Sequence, residues 1–299
     1  MKSYKGIIFQ ILIFLFFICL FGLLINNLII NLIRTDLGFN FSWLLKPASF
    51  ALAEHALPYS PSDSYAWALF IGWLNSLKVI FTSLFLSTIL GIIIGLSRTS
   101  KNIILNILSS FYITIIRQTP LLLQLMFWYF VGFLGLNNNF IYFTNIFKIN
   151  NKGIEFLGLS LTSEYSALIF GLSVFTSAFI GEVIRGGIVS VSKGQWESFR
   201  SLGLSESNGL IKVIIPQALP AIIPGLTSQY LNLAKNSTLA IAIGYSDIYA
   251  INDTIINQTG RAIECFIILL LSFLILNLLI TNLMETINKL INRKRIYIN

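Results

Sequence analysis

The sequence has few of the residue types that build catalytic or metal sites. It contains one histidine, His55, and two cysteines, Cys19 and Cys265, in 299 residues. A single histidine excludes HExxH-type and other multi-histidine metal sites. Both cysteines lie inside apolar runs, where a thiol behaves as a small hydrophobe, so a disulfide framework is excluded as well. With no recognisable pair of catalytic carboxylates and no nucleophile–base arrangement, we predict no catalytic residue and no metal site.

Charged residues are also scarce. They make up 11% of the chain against 56% hydrophobic residues, and the mean hydropathy is +0.80. One water-soluble core cannot hide this much apolar surface, so lipid must be the main solvent. The formal charge of +8 is typical of loops that stay on the cytoplasmic side of a membrane, and we expect no nucleic-acid partner.

Six apolar stretches are long enough to cross a bilayer, which takes about 20 residues each. The sequence therefore predicts an all-α membrane protein of about six transmembrane helices. The first stretch is too long for a cleavable signal and is interpreted as an uncleaved span. The third and fifth are interrupted by prolines and basic residues. The six stretches are 7–33, 66–96, 103–134, 167–184, 218–243 and 265–283.

The distribution of basic residues predicts the orientation. With both termini in the cytoplasm, 12 of the 20 lysines and arginines lie inside and 6 outside, as the positive-inside rule favours. The chain then divides into an N-terminal anchor with an external loop (1–65), a transmembrane domain (66–290) and a cytoplasmic tail (291–299). A second external stretch, 136–156, is aromatic and rich in asparagine, which is typical of the membrane interface.

The longest cytoplasmic loop, 182–216, carries an amphipathic pattern. Within 195–202 the apolar residues Trp196, Phe199 and Leu202 recur every three positions, which predicts a short helix with one apolar face. Such a face lies either in the groove of a protein partner or on lipid head groups. The pattern by itself leaves both possibilities open.

Turn residues complete the predicted structure of this loop. Gly194 and Gly203 bracket the first short helix, and Gly203 stands where a C-terminal glycine is expected. Ser205 can cap a second short helix that contains residues 210–214. We therefore predict a helix-turn-helix that lies across the membrane surface.

The same loop resembles the EAA loop of ABC importer permeases. That pattern has Glu-Ala-Ala, three residues, Gly, nine residues and then Ile-x-Leu-Pro. Glu197, Gly203 and Pro216 stand at these spacings, while Ser198 and Phe199 replace the two alanines. The flanking runs EVIRGGIVSVSKGQ, PQALPAIIP and RQTPLLLQ resemble polar amino-acid permeases. The run LNLAKNSTLAIAIGYSDI and the long first external loop resemble the general L-amino-acid permease subgroup.

The resemblance implies a type I ABC importer permease fold and a function as a non-catalytic subunit that imports L-amino acids with broad specificity. The implied partners are ABC ATPase subunits, a second permease subunit, an external amino-acid-binding protein and the lipid bilayer of a bacterial inner membrane. ATP and magnesium are expected on the ATPase, and this chain lacks the Gly-Lys dipeptide of a phosphate-binding loop. The implied ATPase-coupling residues are Gly194, Trp196, Glu197, Phe199, Gly203 and Pro216.

Polar residues within the predicted spans are candidates for the substrate path. Lys235, Ser237 and Thr238 interrupt the fifth span, and either line the path or let the lysine reach the outer surface. Arg117 and Gln124 lie near a break at Pro120 in the third span, where Arg117 either meets substrate carboxylates or anchors at head groups. Lys78 is expected to reach the outer interface, and Glu182 to pair with Arg185 across one helix turn.

Prolines in the fifth span predict a deformable segment. Pro216, Pro220 and Pro224 are four residues apart, so the backbone hydrogen bonds they remove lie on one helix face. We expect an interrupted helix there, which serves either as a hinge beside the path or only for packing.

Two functions of other classes are the alternatives. A secondary carrier driven by an ion gradient would carry acidic residues inside its spans, and the acidic residues here fall in predicted loops or span ends. A membrane scaffold would use the same cytoplasmic loop without transport, but it gives no reason for the broken fifth span.

Overall fold

The computed structural model describes residues 4–34, 39–136, 141–142 and 147–296. These residues form ten α-helices and a small sheet, with short 3-10 and π segments between them. The helices are α1 Tyr4–Arg34, α2 Tyr65–Thr99, α3 Ile103–Gln118, α4 Leu121–Met126, α5 Ser163–Val189, α6 Lys193–Ser201, α7 Glu206–Gly209, α8 Ile215–Asn236, α9 Ile248–Thr259 and α10 Ala262–Ile296.

Five helical segments within the described residues are long and apolar enough to cross a membrane: Gly6–Asn31, Tyr65–Thr99, Ser163–Val189, Glu206–Ile243 and Ala262–Ile291. They match five of the six predicted spans. The remaining one, 103–134, is divided into α3 and α4, and α4 continues as a π-helix, Phe127–Phe133. α10 extends to Ile296, so the predicted start of the tail at residue 291 lies inside a helix.

The break between α3 and α4 follows from Pro120, which disfavours helical backbone at Thr119. Thr119 is extended, with φ −100° and ψ 134°. The Gln124 side-chain amide then donates to the carbonyl of Ile116 at 3.0 Å and to the hydroxyl of Thr119 at 2.6 Å. Gln124 therefore closes the break by satisfying groups that the interrupted helix leaves without partners.

The closest helix packing joins α2 and α5. Gly95 lies so near α5 that an added Cβ would come within 2.7 Å of Ile184 Cβ, and one on Gly181 would come within 2.8 Å of Ile94 Cγ2. Gly91 leaves equally little space beside Ile180. Small residues let membrane helices approach until their backbones are nearly in contact, and this pair forms the centre of the bundle.

α8 corrects the expectation of an interrupted fifth span. It runs without a break from Ile215 to Asn236, with Pro216 in its first turn and Pro220 and Pro224 further inside it. The irregular segments lie at its two ends, as a π-helix before it, Leu210–Ile214, and a 3-10 helix after it, Ser237–Ile243. The bonds missing at the prolines share one face, and the bonds on the other faces maintain the helix.

The second external stretch contains a sheet that the sequence analysis did not predict, so the all-α description needs this addition. Four antiparallel strands follow in sequence order: β1 Ile141–Tyr142, β2 Phe147–Asn150, β3 Gly153–Phe156 and β4 Leu159–Thr162. Ile149, Ile154 and Leu161 stand opposite one another and pack on the apolar core. On the other face Lys148 Nζ contacts Glu155 Oε1 at 2.9 Å. Residues 137–140 and 143–146 of this stretch lie outside the described part.

The external loop before α2 is fixed to the bundle by Glu54. One carboxylate oxygen lies 3.0 Å from Lys78 Nζ, and the other accepts a hydrogen bond from Thr162 Oγ1 at 2.6 Å. The Lys78 ammonium also lies 4.1 Å from the centre of the Tyr165 ring. Lys78 therefore reaches the external loop, in keeping with its expected position near the outer interface, and its charge is paired there with Glu54.

Candidate functional site: the cytoplasmic hairpin and the cleft above it

α5 extends further into the predicted cytoplasmic loop than expected, because it ends only at Val189. Glu182 and Arg185 therefore lie in α5, and they form the predicted ion pair at 3.0 Å. Arg98 Nε at the end of α2 lies 3.8 Å from the same carboxylate. The loop proper begins after α5 and folds as α6, a tight turn and α7.

The turn after α6 confirms the predicted helix-turn-helix. Gly203 has φ +71°, and its N–H donates to the Arg200 carbonyl at 3.0 Å. The Leu204 N–H reaches the Phe199 carbonyl at 3.1 Å, and Ser205 Oγ accepts from the Asn208 N–H at 3.4 Å. Local turn chemistry therefore specifies this hairpin.

The structure divides the predicted apolar face of α6. Phe199 is 1% exposed and packs against Gly209, whereas Leu202 is 78% exposed. Trp196 is half-buried, with its ring 5.8 Å from that of Phe199. The expectation that Phe199 contacts the ATPase is thus corrected, because this side chain forms the hairpin's own core. Leu202 is the large apolar side chain of α6 and its turn that reaches solvent.

The other predicted coupling residues lie around this core. Glu197 and Pro216 are exposed, and a side chain added at Gly194 would meet open space. On the opposite side of the hairpin, Glu206 contacts Arg200 at 2.9 Å and Lys101 at 2.7 Å. Glu206 thus links α7 to the turn between α2 and α3.

Gly203 provides a test of the hairpin conformation. We expect Gly203→Val to lower ATP-driven uptake about fivefold or more, because a β-branched residue at positive φ costs on the order of 1–3 kcal/mol. Gly203→Asn should retain most of the uptake, since asparagine tolerates this conformation. Uptake by purified complexes in proteoliposomes measures both variants, and equal activity of the two would contradict a conformational requirement at residue 203.

A polar cleft lies between α5 and α8, with a volume of about 330 Å³. α8 contributes three amide side chains and α5 contributes a hydroxyl and two aromatic rings. The Arg117 guanidinium lies 5.0 Å from the centre of the Phe179 ring, so α3 places a positive charge beside the cleft. The lining residues are Phe175, Thr176, Phe179, Gln229, Asn232 and Asn236.

The predicted substrate-path residues differ in how they relate to this cleft. Lys235 is exposed and adjoins Asn236, but it does not line the cleft. Ser237 is 1% exposed and donates to the Ala234 carbonyl at 2.9 Å, and Thr238 donates to the Lys235 carbonyl at 2.8 Å. These two hydroxyls donate to the chain's own backbone. Gln124 Nε2 does the same at Ile116, while Gln124 Oε1 is buried without a hydrogen-bond partner among the described residues.

The three amides of α8 were not among the predicted substrate-path residues. Gln229, Asn232 and Asn236 recur at spacings of three and four residues, which places them on one face of an apolar helix. This pattern was available in the sequence. What it could not provide was the neighbouring surface of α5 that turns the polar face into a cleft.

Comparison with known proteins bears on both parts of the site. A family profile described as "Binding-protein-dependent transport system inner membrane component" matches residues 87–293, which include the hairpin and the cleft. The chain belongs to this family. α1, the external loop and the first part of α2 lie outside the matched region.

Two curated relatives are similar to this chain over nearly its whole length. "Putative amino-acid ABC transporter permease protein YhdX" of Escherichia coli is 34% identical, with 94% of this chain and 93% of the relative covered. "General L-amino acid transport system permease protein AapQ" of Rhizobium johnstonii is 31% identical, with 96% and 92% covered. The solved structure of "an amino acid ABC transporter with histidines" has a TM-score of 0.59 at 28% identity over 75% of this chain and 94% of that one.

Family membership confirms several predictions. The permease has the fold of ABC importer permeases, spans the membrane several times and is a non-catalytic subunit, with ATP hydrolysis on a separate chain. An ATPase and a substrate-binding protein are the partners that the family implies. The two alternatives, a secondary carrier and a scaffold, are not supported by these relationships.

Proposed function

We propose that this permease imports L-amino acids of several kinds through the cleft between α5 and α8. The observation that carries the proposal is the juxtaposition of the Gln229, Asn232 and Asn236 amides with the Arg117 guanidinium beside Phe179. Amides donate and accept hydrogen bonds, so they suit the carboxylate, the ammonium and polar side chains of many amino acids. Arg117 adds the positive charge that a carboxylate requires. The names of the similar proteins support the same class of substrate.

A continuous helical path joins the hairpin to this cleft. The π-helix begins at Leu210 and passes into α8 without interruption up to Asn236, so Asn232 lies about 33 Å along the helix from the hairpin. We propose that the ATPase binds the exposed surface of α6 around Leu202, Glu197 and Gly203, and that its movement is transmitted along α8. ATP and magnesium belong to that partner.

The cleft is open on one side, and we propose that a second permease subunit, identical or homologous, closes it. We place the permease in a bacterial inner membrane with both of its termini in the cytoplasm. The distribution of basic residues supports this orientation. Pro216, Pro220 and Pro224 then lie on the helix that moves. Since α8 is continuous, bending is expected at its π and 3-10 ends.

Replacing Asn232 tests the cleft. We expect Asn232→Leu to raise the KM for amino-acid uptake about tenfold, because a lost hydrogen bond to a charged ligand costs roughly 1.5–3 kcal/mol. Asn282→Leu in α10, which removes an exposed amide outside the cleft, is the matched control and should leave uptake unchanged. The assay is uptake into proteoliposomes that contain the permease, its ATPase and its binding protein, with ATP and no ion gradient. A normal KM in Asn232→Leu would contradict the proposed path, and transport without any ATPase would contradict the function.

A further inference from the structure

α1 differs from the other long helices of the permease because the described part of the chain does not bury its apolar stretch. Its apolar window, within Gly6–Asn31, is 0% buried by the described residues and has a mean hydropathy of 3.0. The helix also lies outside the region that defines the family. In the membrane, α1 is therefore free to contact lipid or another transmembrane helix.

The length of α1 sets the depth of its polar residues. Its 31 residues extend about 46 Å, close to the roughly 40–45 Å of a bilayer with its head groups. Cys19 then lies near the midplane. Asn26 lies about 10 Å from the midplane, which is inside a hydrocarbon core about 15 Å deep on each side.

Asn26 has no hydrogen-bond partner among the described residues and is exposed. Lipid tails offer neither donors nor acceptors, so a side-chain amide at this depth favours a neighbouring helix that supplies both. The amide is self-complementary. A second copy of α1, which inserts in the same orientation, presents the same amide at the same depth, whereas another protein would need a polar group placed there independently.

The residues around Asn26 fit such a pairing. Leu12, Leu15, Cys19, Gly22, Asn26 and Ile29 recur at alternating spacings of four and three, the seam of a parallel two-helix coil. Gly22 and Cys19 are small and permit close approach. An asparagine at one such position is known to fix register and favour a dimer.

We propose that α1 pairs in parallel with α1 of a second copy of this chain, through the seam that contains Cys19, Gly22 and Asn26. The two Asn26 side chains donate to and accept from each other. Cys19 lies one heptad away on the same seam, so the two Cys19 thiols face each other near the midplane. Cys265, by contrast, is buried in α10.

The native Cys19 makes the proposal directly testable. Membranes containing the full transporter, with two differently tagged copies of this chain, are oxidised with Cu(II)–phenanthroline. Two thiols form one disulfide, two Cu(II) ions each accept one of the two electrons, and two protons pass to the buffer. Non-reducing electrophoresis should show a band that contains both tags. This band should persist in Cys265→Ala and disappear in Cys19→Ser or on reduction.

Two leucine variants separate pairing through Asn26 from chance collision. Asn26→Leu should lower the cross-linked fraction about fivefold or more, whereas Asn27→Leu, about 100° away around the helix, should leave it unchanged. Both variants should insert and transport normally, since α1 is outside the cleft and the hairpin. An equal yield in Asn26→Leu, a yield that falls in proportion to dilution with lipid, or a Cys19 cross-link to a different protein would overturn the proposal.

Discussion

Replacing Gly209 by leucine should lower ATP-driven uptake by at least about tenfold and reduce co-purification of the ATPase with the permease, because overpacking of a well-filled site costs about 1–3 kcal/mol. The Phe199 ring fills the space beside Gly209, and even a Cβ there would overlap it. Leucine must displace the ring and, with it, α6 and the exposed Leu202. The proposed ATPase-binding surface would then lose its shape while the membrane helices remain in place. Uptake and the amount of bound ATPase are measured on the same preparations.

A second change should rescue this variant. Gly209→Leu combined with Phe199→Ala exchanges the large and small residues of one contact, and volume-conserving exchanges are tolerated best. It also restores one of the alanines of the EAA pattern. We expect the double variant to recover most of the uptake. No recovery, together with normal ATPase binding in the single variant, would show that the Phe199–Gly209 contact does not shape the docking surface.

Replacing Gly91 by leucine should have the largest effect on assembly of the permease. An added side chain would overlap Ile180 at the closest approach of α2 and α5, and two packed helices cannot accommodate it without separating. We expect destabilisation of about 3 kcal/mol or more, from overpacking together with the lost contacts of the surrounding side chains. Thermal unfolding of the purified permease and its yield in the membrane are the measurements.

Gly186→Leu is the matched control, because Gly186 is exposed on α5 with open space around it. It should unfold at or slightly above the temperature of the original protein, since leucine favours helix more than glycine does by roughly 0.8–1 kcal/mol. If Gly91→Leu and Gly186→Leu unfold at the same temperature, the close approach of α2 and α5 does not support the fold.

The hairpin shows which parts of the site could be predicted. The glycine turn at Gly203, the Ser205 cap and the Glu182–Arg185 pair each depend on residues three or four positions apart, and such interactions follow from helix geometry. Phe199 was predicted to face a partner because its spacing matched that of Trp196 and Leu202. The Phe199 side chain is buried because it packs against Gly209 of α7, which leaves space for the ring. The spacing of apolar residues within α6 gives no information about this contact.

The polar residues of the spans also show which features follow from the sequence and which need the structure. Ser237 and Thr238 are hydroxyl side chains in an apolar stretch, and a hydroxyl there either meets a ligand or bonds the carbonyl three or four residues before it. Only the three-dimensional structure shows that the second option applies. Likewise Lys78 lies 24 positions from Glu54, so their pairing depends on where the external loop returns to the bundle.

The amino-acid sequence was enough to predict that this chain spans a membrane several times and that its longest cytoplasmic loop forms a helix-turn-helix; the EAA assignment of that loop came from its resemblance to a family. The first two predictions arise from apolar length and from spacings along one helix, which are local. The tertiary structure was needed to show that Phe199 belongs to the hairpin core, that α8 is continuous, that Gln229, Asn232 and Asn236 border a cleft, and that the described residues bury none of the apolar window of α1. Each of these depends on which segments meet across the bundle, and that contact is set by packing between residues far apart in sequence.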